Sequence, residues 1–256
     1  WVTTPQSWDN AKLAGVSGNA EKGALVFAAS GCASCHSAKG AEGAAKLVLV
    51  GGKAFPSDFG TFYAPNISQS KDHGIGAWSF EDLANAVTFG TSPAGKHYYP
   101  AFPYTTYEKM TVTDLADLYA YLQTLPAAED PSKPHDVGFP FNIRRSLGGW
   151  KFLFAGKGWA VDGDLTDEEK RGRYLVEAMG HCAECHTPRN AIGGLQRGRW
   201  LAGGPNPDGP GKIPNITPHG DGLGGWATID VITDLNAGFT PEVDVSGWQR
   251  ADVGEN

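Results

Sequence analysis

Basic residues are in the minority in this 256-residue chain: 21 Lys and Arg stand against 28 Asp and Glu, a formal charge of −7 with His neutral. A chain of that sign has little means of holding a polyanion, which argues against nucleic acid and anionic lipid surfaces as partners. Methionine is scarce, with Met110 and Met179 the full set. No apolar run reaches the roughly 18 residues of a membrane-crossing helix. No charged-then-apolar leader opens the chain, which reads as a mature or trimmed one. No nucleophile–base triad, phosphate-binding loop or dinucleotide fingerprint stands out. Cysteine stops at four. Glycine and proline are plentiful instead, at 35 and 17, and predict a loop-rich fold with long connections. The 41% of hydrophobic residues is enough to bury cores.

All four cysteines fall in one repeated pattern. Cys32-Ala-Ser-Cys35-His36 returns as Cys182-Ala-Glu-Cys185-His186. A C-x-x-C-H pentad is the signature of covalent haem c attachment. Two thiols on a short loop reach the two vinyl groups of one porphyrin edge, and the next histidine is carried under the iron as its proximal ligand. A zinc site needs a second Cys or His pair about 12–20 residues away, whereas these pentads lie 150 residues apart. A redox dithiol leaves the histidine in both copies without a reason. Two haems c therefore use every thiol, and no disulfide remains to be made.

In chain order, residues 1–20 are polar and irregular, and residues 21–30 read as a short helix entering the first pentad. A glycine-rich loop follows through Gly51 and Gly52 to Phe62. Ser79 and Asp82 have the spacing of a helix-opening cap, which predicts a helix to about Phe89. Thr113 is the expected cap of a second helix, where Leu115, Leu118, Tyr119 and Leu122 recur at i, i+3, i+4, i+7. Pro126, Pro131, Pro134 and Pro140 punctuate a polar stretch that reads as an interdomain linker. The aromatic and basic run 141–154 is expected to pack between two domains, ahead of a reading as a docking surface.

The chain then repeats itself. Gly172 and the eight residues after it match the helix before the first pentad. Gly203-Gly204 matches Gly51-Gly52, and Pro214-Asn215-Ile216 matches Pro65-Asn66-Ile67. Gly224-Gly-Trp226 matches Gly76-Ala-Trp78, and the run 238–241 matches 90–93. The offset stays between 148 and 152 residues, which identifies a tandem duplication.

The run His97-Tyr-Tyr-Pro-Ala-Phe-Pro-Tyr-Thr-Thr-Tyr-Glu-Lys-Met110 resembles the first domain of the cytochrome c subunits of bacterial periplasmic dehydrogenases of the alcohol and gluconate type. His181-Cys-Ala-Glu-Cys-His-Thr-Pro-Arg189 resembles their second domain. With two pentads, the chain is more similar to the stand-alone dihaem members of the group. The resemblance implies a mainly α fold of two tandem cytochrome c domains, each wrapped around one covalent haem and joined by the Pro-rich linker. Domain 1 is expected at 1–126, the linker and interdomain segment at 127–158, and domain 2 at 159–256 with its closing helix missing. It also implies a periplasmic location, and membrane association through an anchor upstream of Trp1.

A haem used for electron transfer has two strong axial ligands, often His and Met. His36 and His186 supply one each. Met110 precedes the last helix of domain 1, where a distal loop reaches the opposite haem face, and is the expected sixth ligand of haem 1. His97 is the rival there, or bonds a propionate or the backbone. Met179 lies on the helix leading to Cys182 and is expected in the core. The second repeat has no Met after Cys185. Gly247-Trp-Gln-Arg250 stands at the matching place, and arginine is a very poor iron ligand. His219 is a weaker candidate, in a loop near the counterpart of His73. Asn66 and Asn215, with Trp78 and Trp226, recur at matched places and carry N–H donors able to reach propionates.

These features predict an electron-transfer protein with no substrate of its own. It would take electrons from a periplasmic dehydrogenase or a quinol-linked donor and hand them to a smaller cytochrome or an oxidase. Its partners should carry basic docking patches. The alternative is a dihaem redox enzyme, a peroxidase or sulfur-compound oxidase, with an open site at haem 2.

Overall fold

The computed structural model describes residues 3–206 and 210–237. Among them are ten α-helical segments and two short antiparallel hairpins, a mainly helical fold. The chain divides into two units, Trp1–His181 and Cys182–Asn256.

In the first unit α1 (Asn10–Leu13) and α2 (Ala20–Ala29) lead to α3 (Cys32–His36), the first pentad. The hairpin β1 (Ala54–Ser57) and β2 (Gly60–Tyr63) follows. Then come α4 (Phe80–Phe89), α5 (Tyr104–Tyr107), α6 (Val112–Leu122), α7 (Leu147–Phe154) and α8 (Asp167–Tyr174), which runs on into a π turn over Leu175–Met179.

The caps explain where these helices start. Asn19 Oδ1 accepts the Lys22 N–H at 2.9 Å and opens α2. Ser79 and Asp82 form the expected reciprocal capping box of α4. The cap of α6 is Thr111 rather than Thr113: Thr111 Oγ1 accepts the Asp114 N–H at 3.1 Å, and the helix starts one residue later. The apolar stripe of α6 is as the periodicity requires, with Leu115, Leu118 and Leu122 all buried. This stripe crosses α2, where Phe27 and Tyr121 pack with their rings tilted, 5.2 Å between centroids, and Asp117 Oδ1 accepts the Asn19 N–H. The resulting core holds Leu13, Val26, Leu49, Ile75, Leu83, Val87, Met110 and Met179 among others. Met179 is core, as expected.

The proline-rich stretch lies along the first unit. Asn66 Nδ2 donates to the carbonyls of Ala128 and Asp130, at 2.7 and 2.8 Å, and the Asn66 N–H donates to Ser132 Oγ. Further along, the Thr61 and Asp136 backbones exchange a pair of hydrogen bonds. The aromatic and basic run beyond it also packs within this unit. Lys151 Nζ donates to the Gly90 carbonyl at 2.8 Å, and the Arg144 guanidinium lies over the Tyr99 ring. The helix expected to open the second domain belongs to the first unit as well. The Thr111 N–H donates to the Tyr174 hydroxyl, which in turn donates to the Asp114 carboxylate.

The π turn has a reason in the repeat. Gly172 stands ten residues before Cys182, whereas Gly23 stands nine before Cys32. A π turn takes up one extra residue without ending the helix, and here it absorbs that insertion.

The second unit contains α9 (Ala183–His186), the hairpin β3 (Gly204–Pro205) and β4 (Lys212–Ile213), and α10 (Thr228–Ala237). α10 is the counterpart of α4, offset by 148 residues. In α4, Leu83, Ala84 and Val87 are buried, whereas in α10 Ile232 and Leu235 are 47% and 80% exposed.

Candidate functional site

The two pentads are held by the same local scaffold. In the first unit the Gly51 N–H donates to the His36 carbonyl at 2.7 Å, and the Ile67 N–H to the Leu49 carbonyl at 3.0 Å. In the second, Gly203 bonds His186 at 2.7 Å and Ile216 bonds Leu201 at 2.9 Å. The loops beyond are also alike. Ile75 bonds Ser68 and Trp78 bonds Ile75, as Leu223 bonds Thr217 and Trp226 bonds Leu223. Gly51 fits this path because its φ is +77° and a Cβ there would meet the Pro65 carbonyl oxygen at 2.4 Å. Gly203, with φ of +75°, meets Ile213 in the same way.

This scaffold sets the two histidines. His36 Nδ1 lies 2.8 Å from the Pro65 carbonyl oxygen, and His186 Nδ1 lies 2.9 Å from that of Pro214. A carbonyl only accepts, so each Nδ1 carries the hydrogen and each Nε2 keeps its lone pair for a metal. Burial lowers the pKa of His36, against the smaller opposing effect of the Pro65 bond, and so favours the neutral imidazole that ligation needs. The cysteines stand one helical turn apart, Cys32 and Cys35 half-buried, Cys182 half-buried and Cys185 exposed. Burial, with Cys35 second, pushes the Cys32 thiol up to about 12, and burial raises that of Cys182. Thiols of that kind are poor zinc ligands. Among the described residues no group of three or more His, Cys, Asp or Glu side chains is placed to hold a metal ion.

Met110 is 4% exposed and belongs to the same apolar cluster that Cys32, Ala33, Trp78 and Phe102 line. His97 is not part of that cluster. It is buried, its Nε2 lies 3.1 Å from the Thr3 carbonyl oxygen, and its own carbonyl accepts from Arg144. Both amide hydrogens of Asn66 are spent on the proline-rich stretch. The Asn215 Oδ1 accepts from the Thr217 N–H and hydroxyl at 2.9 and 2.7 Å. Trp78 and Trp226 are both half-buried, and the Trp78 carbonyl accepts from the Tyr119 hydroxyl at 2.9 Å. His219 pairs with Ser70 rather than with His73: the Gly224 N–H donates to His219 as that of Gly76 does to Ser70. Its side chain is 70% exposed. The runs 238–241 and 247–250 lie outside the described residues.

Sequence reading missed one donor. The buried Trp200 indole N–H has no hydrogen-bond partner among the described residues, and Trp200 immediately precedes the Leu201 carbonyl that anchors Ile216. A buried N–H without an acceptor is costly unless a further group supplies one, and a haem carboxylate is such a group. No signal in the sequence marks it, because the first repeat has Val48 at this place. Both the freed Nε2 atoms and this orphaned donor fit a covalently held haem.

Comparison with known proteins agrees with that fit. The chain is 54% identical over 256 residues to a dihaem c-type cytochrome of Cereibacter sphaeroides, covering 100% of this chain and 86% of the relative. The chain belongs to the dihaem c-type cytochromes. Its cofactors are two haems c. Residues 20–126 match the cytochrome c family profile. It is also 34% identical over 244 residues to the cytochrome c subunit of a quinone alcohol dehydrogenase of Gluconobacter oxydans, covering 91% of this chain and 49% of that one. The cytochrome c subunit of gluconate 2-dehydrogenase of Pantoea cypripedii is 33% identical over 229 residues, with 85% and 51% covered. This cytochrome thus spans about half the length of those two dehydrogenase subunits.

Proposed function

We propose that this cytochrome carries electrons in the periplasm, from a dehydrogenase or quinol-linked donor to a downstream cytochrome or oxidase. When bound, each haem supplies an iron that cycles between the ferric and ferrous states. Cys32 and Cys35 hold the first haem by thioether bonds and His36 ligates it; Cys182, Cys185 and His186 do the same for the second. The observation that carries this reading is the pair of Nδ1–carbonyl bonds, which place the hydrogen on Nδ1 and turn each Nε2 to ligation. Met110 would hold the iron of haem 1 together with His36, its soft thioether favouring the ferrous state. It is the described methionine that lies in the Cys32 cluster and outside the helix leading to a pentad. Trp200 donates to a propionate of haem 2. The acidic balance of the chain selects partners with basic docking patches, and an anchor upstream of Trp1 keeps it at the membrane. No described helix is long and apolar enough to cross a membrane.

The test combines intact mass with potentiometry. A mass two haem units above the polypeptide after acid–acetone extraction, and two one-electron steps in a redox titration, are expected. A gain of one unit or none would overturn the two-site reading. Reduction by a purified periplasmic dehydrogenase at a rate that falls with ionic strength is expected; a salt-independent rate would discard the basic docking patch.

A further inference from the structure

The acidic balance of the whole chain hides a local reversal. Residues 137–161 hold Arg144, Arg145, Lys151 and Lys157 and not one Asp or Glu. The same run carries Phe139, Phe141, Ile143, Phe152 and Leu153, all exposed, with Phe139 at 80% and Phe152 at 68%. Large apolar side chains gathered on a surface mark a place of contact.

One side of this run is engaged by the first unit itself. Arg144, Gly148 and Lys151 follow at i, i+4, i+7 and face inward. Arg144 donates to the His97 carbonyl at 2.9 Å, Gly148 is buried, and Lys151 Nζ donates to the Gly90 carbonyl. The other side of α7 holds Gly149, Phe152 and Leu153, with Arg145 just ahead of it. That side is open, for a Cβ on Gly149 would meet nothing within 4 Å. Ahead of the helix, the Tyr99 hydroxyl donates to the Phe141 carbonyl at 3.1 Å and fixes the preceding loop. Thr3 lies beside the same face, where its Oγ1 accepts from Arg145 Nε at 3.2 Å.

We propose that this face lies on a phospholipid bilayer, with Phe152 and Leu153 among the acyl chains and Arg145 and Lys157 level with the lipid phosphates. This rests on the membrane location proposed above and adds a surface to it. An anchor upstream of Trp1 would enter beside Arg145, where Thr3 is held, so tether and face would meet one bilayer. A segment that sets Phe and Leu beside Lys or Arg lies in the interface without crossing it. An acidic protein fits this face less well. It would need cations to pair with its carboxylates, and Arg144 and Lys151 are already engaged by the chain's own carbonyls. The acidic balance of the remainder turns other faces away from anionic headgroups and leaves this one to approach.

The test uses the holoprotein of residues 1–256 with nothing upstream, so that any binding belongs to the face and not to an anchor. It is sedimented with vesicles of phosphatidylcholine and phosphatidylglycerol. Co-sedimentation is expected, and Phe152→Asp with Leu153→Asp should weaken it about tenfold or more. Both side chains are exposed, so the haem spectrum and melting temperature should hold. Gly149→Leu, which adds an apolar side chain at an open position, should tighten binding. Leu25→Asp, at a site 73% exposed on α2, should leave it unchanged. No co-sedimentation of the native protein would overturn the proposal, and so would an equal loss in Leu25→Asp. Binding to poly-glutamate but not to vesicles would give the face to an acidic protein instead. A native dimer that the double variant turns into a monomer would give it to a second copy of this chain. Two one-electron steps in a redox titration of the same samples test the electron-transfer reading separately, whichever way the vesicles answer.

Discussion

Gly23 backs onto Asp117 so closely that a methyl group in place of its hydrogen would sit 1.9 Å from the Asp117 carbonyl oxygen. Backbone meets backbone where α2 crosses α6, and no side chain fits between. Gly172, the counterpart in the second repeat, has nothing within 4 Å of the same position. Gly23→Ala should therefore lower stability by about 1–3 kcal/mol or more, the usual range for overpacking. Gly172→Ala in a helix should raise it by about 0.4–1 kcal/mol. Thermal melts of the two holo variants by circular dichroism check the opposite signs.

Met110→Ala removes a buried side chain and, on the proposed assignment, an axial ligand. Stability should fall by about 2–5 kcal/mol from the cavity. A thioether favours ferrous iron, so the potential of one haem should drop while the other holds. The Met–iron charge-transfer band in the near-infrared should vanish. A band that survives the substitution would move the ligand elsewhere.

Asn66→Ala should act on the strap, not on the haem. The loss of two buried hydrogen bonds to Ala128 and Asp130 costs about 1–3 kcal/mol. Limited proteolysis should then cut within 126–136 faster than in the native protein, with both potentials unmoved. A shifted potential with unaltered proteolysis would restore the propionate role expected from sequence.

Tyr174 makes stability fall at high pH. Burial first, and its bond to the Asp114 carboxylate second, push its hydroxyl up to about 12 from an ordinary 10.0. The folded state keeps a proton that the unfolded state gives up. The resulting stability is whole below pH 10 and is lost as pH rises through 12. Tyr174→Phe should be less stable at pH 8 but flatten the decline between pH 10 and 12. Urea midpoints measured across that window check the difference in slope; parallel curves would remove Tyr174 from the account.

The pentads, the duplication, the capping box at Ser79 and the stripe of α6 were legible because each is a local pattern with a fixed spacing. The cap at Thr111 was misplaced by two residues, since Thr111 and Thr113 offer the same hydroxyl and only the backbone decides between them. The proline-rich stretch reads as a linker by composition. Its attachment to Asn66 and Ser68 spans about sixty residues of sequence and leaves no periodic trace. Asn66 and Asn215 match in sequence and each accepts with its Oδ1 the N–H two residues on, and Asn66 also holds the proline-rich stretch through its Nδ2. The 182–256 unit was the least legible in fold, because the burial that identifies a core is absent from the described face of α10.

The acceptors for His36 and His186 are main-chain oxygens, those of Pro65 and Pro214. A side-chain carboxylate in that role could be deleted by one codon change, and imidazole basicity would drift with it. A peptide oxygen survives every substitution at its own position. In both copies the electron richness of the imidazole is written in the backbone and not in a neighbouring side chain.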